Sequence, residues 1–322
     1  MLFAEIILLA IICYYLIYIL LWLILDCNVR LWWSLYFGTS ISKLKGQVIW
    51  ITGASSGIGR ALAIVLAKHG VKLVLSARRA DRLESLKEEC LQVGKAVLKD
   101  HDILVLPMDI LKVTEHKQQL DKILEHFEKI NLLVNNAGRS QRAHWEDIAI
   151  QVDRDLFELD VFATLHLSRL VVRYFLDTAT EYRGHIACTS SVAGMAIVPF
   201  SASYCAAKHA LNAYYHTLAM EHRSIDVTIF NPGPVTTDFL KEAFTALPDE
   251  KFGRETNERY RMTAERCAYL YATALANKLQ LSWCGRFPVN LMCYVTRYSL
   301  LTMVMNWFIT PQRMQKVRDG EA

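Results

Sequence analysis

The 322-residue chain contains no CxxC pair, although it carries eight cysteines. Cys13, Cys27, Cys90, Cys188, Cys205, Cys267, Cys284 and Cys293 are scattered, which predicts reduced, mostly buried thiols and neither a zinc site nor a disulfide framework. There is no Asn-x-Ser/Thr sequon, which argues against a glycosylated, secreted surface. The net charge is only +4, and no basic run carries interleaved aromatics, so no nucleic-acid partner is expected. Internal repeats and low-complexity segments are also missing. What the chain has in quantity is apolar side chains: 53% of residues, with the excess at the two ends.

The first apolar excess is uninterrupted. Residues 6–25 hold no charge, Pro or Gly, and about 20 helical residues at 1.5 Å each cover the roughly 30 Å of a bilayer core. A cleaved signal peptide is the competing reading, but that calls for a basic flank and a small-residue cleavage site. Here the flank has only Glu5, and Cys27-Asn28-Val29 is a poor site. The sequence therefore predicts an uncleaved, single-pass membrane anchor over residues 1–29 and a linker over 30–45. Trp32 and Trp33 fall where an aromatic belt would lie. Arg30, Lys43 and Lys45 follow the span and none precede it, a bias toward a cytosolic domain.

Beyond the linker, short β-branched runs alternate with longer amphipathic stretches. Strands are expected at 47–52, 72–77, 103–108, 132–135, 185–190 and 227–231. Their side chains do not alternate in polarity, as suits strands covered on both faces. This order implies an α/β domain over residues 46–280, a doubly wound parallel sheet with helices on both faces. Thr52-Gly-Ala-Ser-Ser-Gly-Ile-Gly59 links the first strand to the first helix of that pattern. A glycine turn there lets the backbone approach a pyrophosphate, and the helix N-terminus offers free N–H groups. Gly53, Ser55, Ser56, Gly57, Ile58 and Gly59 are thus candidate cofactor contacts.

The second strand runs into Ser76-Ala77-Arg78-Arg79, without the acid that would bind a ribose 2′-OH. Arg78 could instead meet a 2′-phosphate, with Arg60 adding charge nearby, so NADP(H) is the expected cofactor. Asp109, after the third strand, has two readings: acceptor for an adenine amino group, or cap of the following turn. Asn135-Asn136-Ala137-Gly138 suits a chain that passes close to a cofactor and holds a neighbouring strand through side-chain amides.

Tyr204 and Lys208 stand four residues apart, on one face of a helix. An ammonium near a phenol stabilises the phenolate and lowers its pKa, giving a general acid for carbonyl reduction or a base for alcohol oxidation. Upstream, Thr189-Ser190-Ser191 ends a strand, and a Ser there is either a hydrogen-bond donor to substrate or a cap. Asn231-Pro-Gly-Pro-Val235-Thr-Thr237 could close over a nicotinamide carboxamide.

TGASSGIG, NNAG, SS, YxxxK and NPGPVTT in this order resemble the short-chain dehydrogenase/reductase superfamily, over residues 46–276. Detail at 102–107, 140–142, 204–210 and 262–267 is similar to a membrane-anchored branch of it and, more distantly, to 11-beta-hydroxysteroid dehydrogenases. The resemblance implies a Rossmann-type fold, with Tyr204 as proton donor, Lys208 on the nicotinamide ribose and Ser191 positioning the substrate carbonyl. It implies cofactor contacts at Gly53, Ser55, Ile58, Arg78, Asp109, Asn136 and Thr237, an endoplasmic reticulum membrane, and an oligomer, a homodimer or a tetramer. One position departs from the pattern. Where the family has a catalytic Asn, in the helix after NNAG, this chain has Asp160. In the family that residue helps kink the helix so that its carbonyl holds a water in a proton relay through the Lys. A carboxylate could also pair with Lys208. Asp160 therefore motivates a rival expectation, a membrane-tethered nucleotide-binding scaffold with weak or no catalysis.

Residues 238–262 read equally as a loop over the site or a plain connector. Residues 287–309 are apolar but interrupted by Arg297, which disfavours a second span. The segment 281–322 is thus expected to be an extension lying on the bilayer surface, or packed in the domain or a dimer interface. An anchor with an apolar exit suits a lipophilic substrate such as a steroid, a retinoid or a long-chain ketone.

Overall fold

The computed structural model describes residues 2–178, 183–253 and 260–296. Seven strands form one parallel sheet: β1 (Val48–Thr52), β2 (Lys72–Ser76), β3 (Ile103–Val105), β4 (Leu132–Asn135), β5 (His185–Thr189), β6 (Asp226–Pro232) and β7 (Leu281–Cys284). Their order is β3-β2-β1-β4-β5-β6-β7, every neighbouring pair parallel. The order reverses between β1 and β4, so the loops there diverge and leave a crevice at the carboxyl ends of the strands.

The pleat explains the unbroken apolar strands. Ile49, Ile51, Leu73, Leu75 and Val134 face one core, with α3 (Gly57–Lys68), α4 (Ala80–Val93) and α9 (Ala264–Ala276). Val48, Trp50, Val74, Leu133 and Ile186 face the other, with α5 (His116–Phe127), α6 (Ile150–Phe157), α7 (Thr164–Asp177) and α8 (Ala202–Glu221). Each strand thus buries both of its faces.

Two expected boundaries move. The stretch 30–45, read as linker, folds: α2 (Val29–Phe37) buries Leu31 and packs Trp32 and Leu35 on the α3/α9 core, and a 3-10 turn at Ile41–Leu44 buries both its ends. A nine-residue amphipathic helix gave too little periodicity to separate from a connector. The sheet also passes residue 280, because β7 pairs with β6. Four residues of mixed polarity carry no strand signal of their own; a neighbouring edge supplies it.

Helix α1 (Leu2–Ile24) is apolar, exposed and long enough to cross a membrane. Its carboxyl end is tied to the domain. Asp26 binds Arg266 through two bonds of 2.8 and 3.1 Å, and Asn28 exchanges hydrogen bonds with the Trp283 backbone. The buried Asn290 amide donates to the carbonyls of Trp22 and Leu25. Asn290 belongs to α10 (Val289–Val295), where Tyr294 stacks on Trp22 at 4.5 Å. The described part of the apolar C-terminal stretch is therefore packed between the domain and α1. Arg297, Tyr298 and Trp307 lie outside the described residues.

Candidate active site

The glycine loop is shaped by its backbone. Gly53 (φ +66°) and Gly57 (φ +58°) adopt left-handed conformations, and a Cβ on Gly53 would lie 2.8 Å from the Ala137 Cα. Thr52 Oγ1 accepts from the amides of Asn136 and Ala137 at 3.0 and 3.2 Å, while Asn136 Nδ2 donates to the carbonyls of Thr52 and Gly53. The loop after β4 thereby braces the loop after β1. Gly59 completes the fit, since a Cβ there would meet Asn136 Nδ2 at 2.5 Å. Ser56, the N-cap of α3, makes no side-chain capping bond, leaving the first N–H groups of the helix for a ligand. A glycine cradle at a helix N-terminus fits a dinucleotide pyrophosphate.

A cavity of about 2210 Å³ runs from this cradle across the sheet's carboxyl edge. Of the expected site residues, Gly53, Ser55, Ser56, Gly57, Ile58, Arg78, Asp109, Asn136, Ser191, Tyr204, Lys208, Val235 and Thr237 line it. Gly59 and Asp160 stand behind the wall. Asp109 caps its own turn, accepting from the Leu111 N–H at 3.1 Å. Thr237 accepts from the Phe239 N–H at 3.4 Å, and its methyl group faces Gly57.

The cationic end differs from expectation. Arg60 pairs with Glu89 on α4 and does not line the cavity. Arg79 takes that place: its guanidinium donates to the hydroxyls of Ser55 and Ser56 at 3.1 and 3.4 Å. Arg79 follows Arg78 directly, so the doubled arginine was the available signal. Which of the two would fold back over the loop is set by the turn into α4.

The candidate catalytic side chains come from three elements. Ser191 lies just past β5 and accepts from the Ala193 N–H at 3.1 Å, with its hydroxyl against the Tyr204 phenol. Tyr204 and Lys208 lie on α8, with Nζ 5.5 Å from the phenol ring centre. Gly194 holds that helix close: a Cβ there would sit 2.7 Å from the Lys208 carbonyl. Asn212 secures the same contact by donating to the Gly194 carbonyl at 2.8 Å.

Asp160 lies in a π-helical segment, Glu158–Ala163, between α6 and α7. Its carboxylate is 2.9 Å from Lys208 Nζ, with the two side chains 0% and 4% exposed. It also accepts from the Arg139 N–H at 2.8 Å. Burial lifts the Asp160 carboxyl above the usual range against the pull of Lys208. Burial works against the Lys208 charge as well, but Asp160, with Tyr204 and Cys188 adding to it, holds the ammonium above its usual value. For Tyr204 the expected direction reverses. Burial raises the phenol, and Asp160 adds to the rise; Lys208, Ser191 and Arg142 oppose it without overcoming it.

Residues 238–252 wall the cavity: Phe239, Phe244 and Phe252 line it, and Phe244 bridges to Gln141 and Lys251. Arg142, absent from the sequence expectation, also lines it, bonded through Nη1 to Ser140 and Ser201. Thr263 caps α9, accepting from the Arg266 N–H at 3.2 Å. From α10, Val289 and Met292 complete the far wall.

Comparison with known proteins agrees with this architecture. The short chain dehydrogenase family profile matches residues 47–248. Dehydrogenase/reductase SDR family member 7 of Mus musculus is 38% identical over 277 residues, covering 85% of this chain and 80% of its own length. A short chain dehydrogenase/reductase from Burkholderia phymatum, solved with NAD, superposes with a TM-score of 0.67 at 24% identity, over 82% of this chain and 96% of that one. An alcohol dehydrogenase from Thermococcus sibiricus, solved with 5-hydroxy-NADP, gives 0.64 at 24% identity, over 76% and 97%. The chain belongs to the short-chain dehydrogenase/reductase family.

Proposed function

We propose that the chain is a membrane-anchored, NADP(H)-dependent oxidoreductase that interconverts a carbonyl and an alcohol on a lipophilic substrate, of the steroid or retinoid kind. The observation that carries the reading is the convergence of Ser191, Tyr204 and Lys208 on the cavity that begins at the glycine cradle. NADP(H) supplies or accepts the hydride when bound. Ser191 would hold the substrate oxygen and Tyr204 would exchange the proton with it.

The preference for NADP(H) is supported by Arg78 and Arg79 at the end of β2, where Ser76 and Ala77 leave no carboxylate to repel a 2′-phosphate. The solved relatives carry NAD in one case and an NADP derivative in the other, so the choice rests on this chain's own residues. A lipophilic substrate is supported by Phe239, Phe244, Phe252, Val289 and Met292 on the far wall, and by α10, which joins that wall to α1. Residence in the endoplasmic reticulum membrane rests on the resemblance to anchored relatives and on α1.

Replacing Tyr204 with Phe should cut ketone reduction by about 10²–10⁴-fold, the usual worth of a positioned proton donor, while NADPH affinity stays within a few-fold. Steady-state rates and NADPH fluorescence titration measure the two; retained turnover would sink the assignment. A second reading, a nucleotide-binding scaffold, is favoured by one feature, the Asp160–Lys208 pair beside the phenol. NADPH binding without turnover of any lipophilic ketone or alcohol would support it.

A further inference from the structure

The carboxylate of Asp160 has a built environment. One oxygen takes the Lys208 ammonium at 2.9 Å and the other the Arg139 N–H at 2.8 Å. Gly138 forms the floor: a Cβ there would lie 3.1 and 3.2 Å from the two oxygens. The π-helical segment sets the residue into this niche, and Lys208 reaches it from α8 while also pointing at the Thr189 carbonyl, 3.4 Å away. Lys208 thus stands between a phenol and a fully buried carboxylate. An isolated ammonium would favour the phenolate, whereas an ammonium closed into an ion pair presents a weak dipole to it.

Resting on the oxidoreductase reading above, we propose that Asp160 is a positioning residue that neutralises Lys208, keeps Tyr204 protonated at neutral pH, and so biases the site toward reduction of carbonyls over oxidation of alcohols. In the favoured direction NADPH is the reductant and is oxidised to NADP⁺. Its hydride goes to the carbonyl carbon, and the double-bond electron pair moves to oxygen. That oxygen takes the Tyr204 proton, and the tyrosinate regains one from solvent. The reverse direction needs the phenolate at the start, and the ion pair opposes it.

The groups facing the phenol pull in both directions. Lys208 shares its helix, Ser191 faces it from beyond β5, and Arg142 faces it from the segment after β4. Cys188 faces Lys208 from β5, and burial pushes its thiol up to about 12, so it stays neutral. Burial and Asp160 together outweigh the cations and hold the phenol above its ordinary value.

The test needs no turnover at its first step. The ultraviolet absorbance of tyrosinate is titrated in the full-length protein and in Tyr204→Phe, and their difference isolates Tyr204. The same pair is then measured in an Asp160→Asn background. Tyr204 of the natural protein is expected to ionise above pH 10, and the substitution is expected to lower that midpoint by about one unit or more, a tenfold gain in phenolate at a given pH. Alcohol oxidation at pH 7 should rise by a similar factor in Asp160→Asn, and the alkaline fall in ketone reduction should move to lower pH.

Equal midpoints, or a natural Tyr204 that ionises at or below pH 10, would overturn the proposal. NADPH binding reports whether Asp160→Asn is folded; if it is not, the natural midpoint decides alone. The expected titration in a protein that turns over neither ketone nor alcohol would leave the electrostatic assignment standing and overturn the oxidoreductase reading instead.

Discussion

The two ends of the cavity are built by different means. At the glycine end the shape is set by the backbone: positive φ at Gly53 and Gly57, and the amides of Asn136 and Ala137 received by the Thr52 hydroxyl from the loop after the neighbouring strand. Its side chains, Ser55, Ser56 and Arg79, face the cavity and are shared with it. At the tyrosine end the chemistry is set by a buried ion pair. Asp160 meets Lys208 across 48 positions, with both side chains out of water. The first end is a backbone cradle with the shape to dock a ligand. The second is an electrostatic environment, and a substitution there changes stability and chemistry together.

Removing Asp160 is the strongest way to break that comparison. Asp160→Ala leaves Lys208 buried without its partner and should cost about 3–5 kcal/mol of stability, read by denaturant or thermal unfolding. At the cradle end a charge removal should leave stability unchanged; an equal loss there would erase the distinction.

A pH experiment separates titration at the site from titration of the scaffold. His185 on β5 is buried, bonded through Nε2 to Thr228 at 2.9 Å, and burial pushes its pKa down to about 4. The unfolded ring takes a proton near pH 6.5, whereas the folded one resists until about pH 4. Stability is therefore complete above pH 6.5 and is lost as pH falls toward 4, by at most about 3 kcal/mol. His185→Gln should flatten that acid slope, measured by unfolding free energy against pH, and leave the alkaline behaviour of Tyr204 in place.

Arg79→Ala should weaken NADPH binding about tenfold and leave NADH binding and the melting temperature unchanged, since a charge-assisted bond to phosphate is lost from an exposed group. Parallel fluorescence titrations with the two cofactors check it. The smallest effect is expected at the base of α1. Arg266→Ala opens the ion pair to Asp26, whose side chains are 39% and 33% exposed, and should cost less than about 1 kcal/mol of domain stability.

Much was legible from the chain alone, for a reason visible at particular residues. Strands β1 to β6 announced themselves because both faces are buried, so Val48 to Ile51 had to be apolar throughout. The apolar run of α1 and the glycine spacing at 53, 57 and 59 are likewise local patterns with one good explanation each. The pairing of Tyr204 with Lys208 needed only helical periodicity. Distance along the chain hid the rest. The strand β7 exists because β6 offers an edge, and α2 because α9 offers a groove. Sequence could not say that Arg60 turns away to Glu89 while Arg79 turns in, because the crossing of α3 and α4 decides it. Nor could it give the sign of the Tyr204 shift. Four residues of spacing placed an ammonium beside a phenol; only folding excluded water from both and brought Asp160 to the ammonium's other side. Covalent order fixed which groups could meet, and burial, a property of the whole packed chain, fixed what their meeting does to a proton.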